Sequence, residues 1–304
     1  MQAFHSFIRS VFFGNYFYGI CAIALSIEAA LQQYVPLNEL NYYIFIFCGT
    51  VIFYTKAYVS ETTNDFKNKR SVWYVLHKKF VQQSQWILSI IFLISAFILL
   101  KDKWDHIFYV TIAQWIVILI FPMVAILYYG INTPLLSKYN LRNTGWLKPF
   151  VIGFVWAGCV TVYPVMYYSI ATDTIYQITF FGFLLFTKNF MFISVLGIMF
   201  DIKDYAADHN RELKTFVVRV GLRKTIFFIM LPLCIMGLGT FMIYAISRNF
   251  PLFRILINTI PFILLIIVAY SMYRRKTILY YLAIIDGLML VKAICGSMGI
   301  LLIK

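Results

Sequence analysis

The stretch ITFFGFLLFTKNFMFISVLGIMFDIKDYAADHNRELKT, residues 178–215, joins a long apolar segment directly to an acidic one. Residues 178–200 carry a single charged side chain, Lys188, and are long enough to cross a bilayer as a helix, which takes roughly 20 residues. Four of the chain's 12 acidic residues then fall within residues 201–212. The stretch therefore predicts a membrane-spanning helix that ends in a group of carboxylates at the membrane surface.

The apolar pattern recurs along the whole chain, which is 62% hydrophobic and only 12% charged, against about 25% charged residues in an average soluble domain. None of the apolar segments shows the alternation of a strand. We expect an all-α, polytopic membrane bundle in which nine transmembrane helices surround a central cavity open to the cytoplasm, as a single domain over residues 1–304. The predicted transmembrane segments are residues 11–33, 41–60, 84–100, 106–129, 149–171, 176–200, 225–246, 252–273 and 279–303.

The net charge of +14 is unevenly distributed. Basic residues concentrate in the connections that follow the second, fourth, sixth and eighth apolar segments, whereas the alternate connections hold few. By the positive-inside rule, this distribution places the N-terminus and all the basic connections in the cytoplasm. It explains the positive charge without a nucleic-acid partner. We expect a multi-pass integral protein of a bacterial inner (cell) membrane.

No other common type of catalytic centre is indicated. The five cysteines each lie alone within an apolar segment, and there is no CxxC spacing that would indicate a disulfide framework or a thiolate metal site. The chain also has no GxGxxG fingerprint for a dinucleotide and no Walker loop for a nucleotide. The acidic stretch is therefore the main candidate for chemistry.

Asp201, Asp204 and Asp208 occupy positions i, i+3 and i+7, which share one face of a helix. Carboxylates placed so closely repel one another unless a cation neutralises them, and Mg²⁺ commonly binds a few carboxylates together with the phosphate oxygens of a substrate. The alternative interpretation is a solvated helix end with mixed charges. Three nearby bases could hold phosphate directly: Lys203, Arg211 and Lys214.

The segment DIKDYAADHNRELKTFVVRVG, residues 201–221, resembles the second aspartate motif of the UbiA family of intramembrane prenyltransferases. The likeness extends past the aspartates to Lys214, Arg219 and Gly221, which fall where the family has a basic, apolar and glycine-containing continuation. LSKYNLRNTGWLKPFVIGFVWA, residues 136–157, is similar to the family's loop into its fifth span. With the predicted spans, the resemblance covers nearly the whole chain.

The resemblance implies a reaction and a cofactor. In the family, two acidic motifs hold Mg²⁺ against the diphosphate of an isoprenoid donor, and an acceptor captures the allylic cation within the bundle. Asp201, Asp204 and Asp208 would then be catalytic residues and metal ligands, with Lys203, Arg211 and Lys214 in contact with the diphosphate. The partners would be a polyprenyl diphosphate, an aromatic or other lipophilic acceptor and membrane lipid, with no nucleic acid and no obligate protein partner.

The family's first acidic motif, NDxxDxxxD, corresponds here to ETTNDFKNKRSVW, residues 61–73. Asn64 and Asp65 match its opening, whereas Asn68 replaces the second aspartate and Val72 the third. By the resemblance, Asn64 and Asp65 would act in catalysis. Asp65 and Asn68 would be what remains of a second metal site.

The bases beside this motif leave two explanations open. In the first, Lys67 and Arg70 contact the diphosphate directly and replace one metal ion, so that transfer chemistry is preserved. In the second, the half-site has lost its function, and the chain is a non-catalytic lipid-binding or transport protein on the same bundle. A terpene cyclase of the same family would share every feature of the sequence.

Several polar residues lie within the predicted spans, where they are costly and indicate function or pairing. Asn15, near the start of the first span, is a candidate contact for the acceptor; an interhelical hydrogen bond is the alternative. Lys188 requires a partner, for which Glu28 or Asp286 could serve. For Glu28, Asp286 and Lys292, we expect a buried structural ion pair.

Overall fold

The computed structural model describes residues 2–60, 69–101, 103–107, 109–129, 144–172, 174, 176–210, 214–273 and 277–302. These residues form helices joined by short connections, and no β-strand occurs among them. The α-helices are α1 (Gln2–Phe13), α2 (Tyr16–Gln32), α3 (Leu40–Ser60), α4 (Lys69–Leu76), α5 (Lys78–Lys101), α6 (Trp104–Ile107), α7 (Ile112–Tyr129), α8 (Lys148–Ala157), α9 (Tyr163–Ala171), α10 (Phe180–Asn210), α11 (Phe216–Val220), α12 (Leu222–Thr225), α13 (Leu231–Ser247), α14 (Leu252–Ser271), α15 (Ile278–Tyr280) and α16 (Gly287–Leu301). Three π-helical turns connect α8 to α9, α12 to α13 and α15 to α16: Gly158–Val162, Ile226–Met230 and Tyr281–Ile285.

The predicted all-α membrane bundle is confirmed. Every apolar segment of the sequence lies on one or more of the helices. Within the described residues, six helices are long and apolar enough to cross a membrane by themselves, and the bent pair α1 and α2 makes a seventh if it is counted as one span. The count of nine transmembrane helices and the central cavity therefore remain predictions.

Two of the π-helical turns are followed by a proline, with a single residue between turn and proline: Tyr163 in the first case and Leu231 in the second. Pro164 follows the turn Gly158–Val162, and Pro232 follows the turn Ile226–Met230. A proline has no N–H to donate, and its ring clashes with the carbonyl group four residues earlier in an α-helix. The wider π-helical turn accommodates the ring, so that each long helix continues through its proline.

Residues Met1–Ala24 and Leu37–Phe108 form one compact unit. Within it, α3 packs along α5, and α4 contacts both helices. Val51 on α3 and Leu88 on α5 are buried where these helices meet. The helices α1 and α2 meet at a 63° bend, where Asn15 has a left-handed φ of 65°.

Residues Leu25–Pro36 and Tyr109–Lys304 form the second compact unit. Helix α10 is central to it: α10 packs against α8 and α13, and 67% of its apolar segment is buried. Helix α14 packs against α16, and α7 against α8. The expectation of a single domain stays a prediction.

The exposed surface of the helices is strongly apolar. Helix α5 has only 17% of its apolar segment buried. Trp86, Ile87, Leu93 and Phe97 on this helix are all more than half exposed. A continuous apolar surface of this kind is unfavourable in water and suits contact with lipid acyl chains. The chain is an integral membrane protein.

Candidate functional site

Helix α10 carries the three aspartates of the acidic stretch. It continues without a break from Phe180 to Asn210, so Asp201, Asp204 and Asp208 share one face of its last turns. The Asp201 side chain is fully buried, whereas that of Asp204 is 40% exposed. The side chain of Asp208 lies outside the described residues. The face therefore runs from the interior of the bundle towards its surface.

Asp201 pairs with Lys148, a residue that the sequence did not indicate as part of the site. The Lys148 Nζ donates a hydrogen bond to Asp201 Oδ1 over 2.8 Å. A buried carboxylate is costly unless a cation and hydrogen bonds compensate it. Lys148 supplies that compensation from the first residue of α8, with its own side chain 23% exposed.

Close packing between α8 and α10 holds Lys148 in place. A Cβ atom added at Gly197 on α10 would lie 3.1 Å from the Pro149 Cα, and one at Gly153 on α8 would lie 2.3 Å from the Ser194 Oγ. The two backbones can approach closely only because these positions are glycines. The sequence signal for this lysine is its place directly before a proline at the start of an apolar segment.

The connection before α8 also contacts the continuation of the acidic motif. A Cβ atom at Gly145 would lie 2.7 Å from the backbone carbonyl carbon of Lys214 and 2.7 Å from the backbone nitrogen of Thr215. Thr215 is buried, whereas the Lys214 side chain is exposed. One short connection thus lies against residues 214 and 215 and, three residues later, places Lys148 on Asp201.

Lys203 and Asp204 form a second ion pair on the more exposed part of the face. The Lys203 Nζ lies 3.1 Å from Asp204 Oδ1, and the side chains are 20% and 40% exposed. Exposed ion pairs contribute only about 0–1 kcal/mol to stability. Lys203 can therefore exchange the carboxylate for an oxygen of a bound diphosphate at little cost.

The acidic face is the candidate position for a metal ion. Carboxylate oxygens are preferred ligands of Mg²⁺, and Asp201, Asp204 and Asp208 occupy positions on one face of the helix. In the part of the chain that the structure describes, no three acidic, histidine or cysteine side chains are grouped as metal ligands. Asp204 is the more accessible of the two described carboxylates, since Asp201 is buried against Lys148. A metal ion bound here would compete with Lys148 and Lys203 for these oxygens.

In the first compact unit, a hydrogen-bond network joins the α1–α2 bend to α3 and α4. The amide of Asn15 donates to Thr55 Oγ1 and to the Tyr74 hydroxyl, each over 3.1 Å. Arg70 Nη2 donates to Asn15 Oδ1 over 2.5 Å and to the Phe13 carbonyl over 3.0 Å. The nitrogen and the oxygen of the Asn15 amide group thus both have protein partners. The contact of Asn15 with the acceptor and that of Arg70 with the diphosphate stay predictions.

Aromatic rings complete this network. The Arg70 guanidinium lies 4.3 Å from the centroid of the Tyr58 ring, which in turn stacks on Tyr74 at 4.8 Å. Burial raises the pKa of Tyr74 to about 12. The phenol is therefore protonated at neutral pH and donates to the Phe13 carbonyl over 2.8 Å. The network fixes α3 and α4, the helices on either side of residues 61–68, relative to each other.

The other predicted site residues cannot be placed on this geometry, because they lie outside the described residues. They are Asn64, Asp65, Lys67, Asn68 and Arg211.

A buried charge cluster lies in the second compact unit, about 20 Å along α10 from Asp201, given 1.5 Å per residue over the 13 residues from Lys188. Glu28 Oε1 accepts a hydrogen bond from Lys188 Nζ over 3.2 Å, and Glu28 Oε2 accepts one from Lys292 Nζ over 2.5 Å. Lys188 Nζ also donates to Gln32 Oε1 over 2.7 Å. Glu28 is therefore the partner of Lys188, one of the two that the sequence suggested. Of the three residues for which we expect a buried ion pair, Glu28 and Lys292 form one.

Comparison with known proteins gives one informative result. No family model matches the chain, and no curated protein matches it. Among solved structures, the chain is similar to a digeranylgeranylglyceryl phosphate synthase in membranes, with a TM-score of 0.56 at 14% identity and 100% of each chain covered. At this identity the likeness concerns the fold. It confirms the fold that the resemblance implies, an all-α bundle of the kind found in a membrane synthase.

Proposed function

We propose that the chain is a Mg²⁺-dependent prenyltransferase, which moves a prenyl group from a polyprenyl diphosphate to an aromatic or other lipophilic acceptor within the membrane. The observation that carries the proposal is the aspartate face at the end of α10. Asp201 is buried there and Asp204 is partly exposed, and each forms an ion pair with a lysine. The similarity of the fold to that of a membrane synthase supports it.

Each group at the site then has a role. Asp201, Asp204 and Asp208 hold the metal ion, which supplies charge stabilisation of the departing diphosphate when it is bound. The bases contact diphosphate oxygens through charge-assisted hydrogen bonds. The allylic C–O bond breaks and its electron pair leaves with the diphosphate, after which the acceptor forms a bond to the allylic carbon and loses a proton. The bases assigned to the diphosphate are Lys67, Arg70, Lys203, Arg211 and Lys214.

Asp65, with Asn64 and Asn68, would be the remnant of the other metal site, in the first acidic motif. We assign Asn15 to the acceptor. The site would face the cytoplasm, because the acidic stretch belongs to one of the basic connections that the positive-inside rule places there. Localisation in a bacterial inner membrane is part of the same proposal.

Release of pyrophosphate tests this function. The purified chain in detergent is mixed with farnesyl or geranylgeranyl diphosphate and a set of lipophilic acceptors, with Mg²⁺ or with a chelator. We expect Mg²⁺-dependent release, which Asp204→Asn lowers by about a hundredfold, the usual effect of removing one electrostatic contact from a transition state. The matched control is Asp105→Asn, the same change at an exposed acid on α6, which should leave the rate unchanged.

One observation favours a second candidate, a lipid-binding protein without catalysis: the buried Asp201 has a protein cation, Lys148, as its ion-pair partner. For that candidate, a prenyl diphosphate would bind but would not be cleaved, with or without Mg²⁺ and an acceptor. A terpene cyclase would release pyrophosphate without any acceptor and yield a cyclic hydrocarbon. Product analysis in the same assay separates the three functions.

A further inference from the structure

Two arginines of the second compact unit lie at the end of the bundle opposite Asp201. Arg248 follows α13, and Arg254 lies in the first turn of α14. The Arg248 guanidinium lies 4.0 Å from the centroid of the Phe181 ring, at the start of α10. Phe181 and Asp201 are 20 residues apart on one helix, a separation of about 30 Å and thus about the thickness of the bilayer core.

Both arginines lie close to the ring of one tyrosine, Tyr34. The guanidinium carbons of Arg248 and Arg254 lie 5.3 Å and 6.0 Å from the centroid of the Tyr34 ring. Arg254 is stacked more closely on Phe250, at 3.6 Å, and its Nη2 donates to the Tyr34 hydroxyl over 3.3 Å. The rings cover the faces of the guanidinium groups, so hydrogen bonds can form only through the N–H groups at the edges of the guanidinium planes.

Within the described residues, no acidic side chain neutralises the charge of this pair. No carboxylate in the described parts of the chain forms an ion pair with Arg248 or Arg254. Arg254 is only 7% exposed, and its Nε has no hydrogen-bond partner among the described residues. A buried guanidinium with an unused donor is costly, which indicates that an anion completes its coordination.

The backbone at Tyr34 supports the same interpretation. Tyr34 follows α2 with a left-handed φ of 56°, a position at which helices usually end in glycine. The Tyr34 N–H donates to the Leu31 carbonyl and the Val35 N–H to the Ala30 carbonyl, which is the hydrogen-bond pattern of a Schellman motif. A bulky residue there is strained, so the chain keeps an unfavourable backbone conformation at the residue that contacts both arginines.

We propose that Arg248, Arg254 and Tyr34 form a binding site for the phosphate group of an anion at the end of the bundle opposite the aspartates. Guanidinium groups bind phosphate oxygens through paired, charge-assisted hydrogen bonds, and the tyrosine hydroxyl adds a further polar contact. The level of the site in the bundle matches that of lipid headgroups. The ligand is the headgroup of an anionic phospholipid or a free phosphate; the site is independent of the proposed prenyl transfer.

Native mass spectrometry of the delipidated protein tests the site. Phosphatidylglycerol and phosphatidylcholine are titrated into separate samples, and inorganic phosphate is titrated in a parallel thermal-shift assay. We expect phosphatidylglycerol or inorganic phosphate to bind the wild type, and Arg248→Gln and Arg254→Gln each to weaken that binding about tenfold. Which of the two binds identifies the source of the phosphate group.

Two further variants keep the result interpretable. Arg248 is exposed, so Arg248→Gln removes a cation without disturbing the interior even if Arg254→Gln does not fold. Arg223→Gln, at an exposed arginine beyond the acidic stretch, is the matched control and should bind like the wild type. Equal binding by the wild type and Arg248→Gln, or no binding of either phosphate source to the wild type, would overturn the proposal.

Discussion

The ion pair between Lys148 and Asp201 determines the charge at the buried end of the aspartate face. A fully buried, ionised carboxylate is costly unless a positive charge lies close to it. Lys148 provides that charge, 2.8 Å from one oxygen of Asp201. If the aspartate face binds Mg²⁺ as proposed, the metal ion and Lys148 act on the same carboxylate. Their competition can be measured without a substrate.

Lys148→Met removes the charge and keeps most of the side-chain volume. We expect this variant to be less stable than the wild type without metal, because Asp201 is left buried without that cation. We also expect added Mg²⁺ to raise its melting temperature in detergent by more than that of the wild type, because the metal no longer competes with a lysine. An equal Mg²⁺ shift in both proteins would contradict this competition.

Glu28 is a second residue on which stability depends, because it is the carboxylate between Lys188 and Lys292. Glu28→Gln leaves both lysines buried without this counter-charge and should cost about 3–5 kcal/mol of unfolding free energy. The double variant Glu28→Gln with Lys292→Met should regain part of the loss, because one of the two cations is gone. Denaturant titration in detergent measures both values. A Glu28→Gln variant as stable as the wild type would show that the cluster contributes little.

These residues also show what sequence patterns can predict at a site. Lys188 within an apolar segment predicts a buried acidic partner, because an isolated charge in a membrane is costly, and Glu28 is that partner. Lys148 gives no such signal, since a base at the end of a span is equally expected from the positive-inside rule. Its role follows from the packing of α8 on α10, a contact between residues 53 positions apart.

At the scale of an element, helix α16 has a glycine, Gly296, where the side chain of Glu28 packs against it. A Cβ atom added at Gly296 would lie 2.4 Å from Glu28 Oε1 and 2.5 Å from Glu28 Cγ, whereas one at Gly239 on α13 would meet nothing within 4 Å. The glycine on α16 is therefore needed for space, and the one on α13 is not. Alanine substitution distinguishes these two cases.

Gly296→Ala should destabilise the protein by about 1–3 kcal/mol, the usual cost of overpacking, because Glu28 must move away from its lysines. Gly239→Ala should be neutral or stabilise the helix by about 0.5–1 kcal/mol, since alanine is the better helix former. Melting temperatures in the same detergent provide the comparison. Equal effects of the two substitutions would show that Glu28 does not need the space at Gly296.

The elements themselves could largely be predicted, because long apolar segments in this chain can only be membrane helices. The π-helical turns and the bend that interrupt these helices could not be predicted from the sequence. The π-helical turns before Pro164 and Pro232 depend on how each helix accommodates a proline, and the third turn, Tyr281–Ile285, has no proline after it. The bend at Asn15 depends on hydrogen bonds to α3 and α4, which are distant in sequence.

At the scale of the whole molecule, the distribution of basic residues predicts that the acidic stretch faces the cytoplasm. Single cysteines introduced at exposed positions test this orientation: Arg223→Cys beyond the acidic stretch and Asp105→Cys on the opposite side. In intact cells, a membrane-impermeant maleimide should label Asp105→Cys but not Arg223→Cys. The protein with its native cysteines alone serves as the control for background, and the reverse labelling pattern would contradict the orientation.

The central claim is that the end of α10 binds a metal ion together with a prenyl diphosphate. Electron–nuclear double resonance with Mn²⁺ in place of Mg²⁺ tests it directly, because phosphorus coupled to the metal ion is detected only when the diphosphate is a ligand. We predict ³¹P coupling in the wild type and in Asp105→Asn with geranylgeranyl diphosphate bound, and its loss in Asp204→Asn. Absence of coupling in the wild type, or unchanged coupling in Asp204→Asn, would contradict the claim.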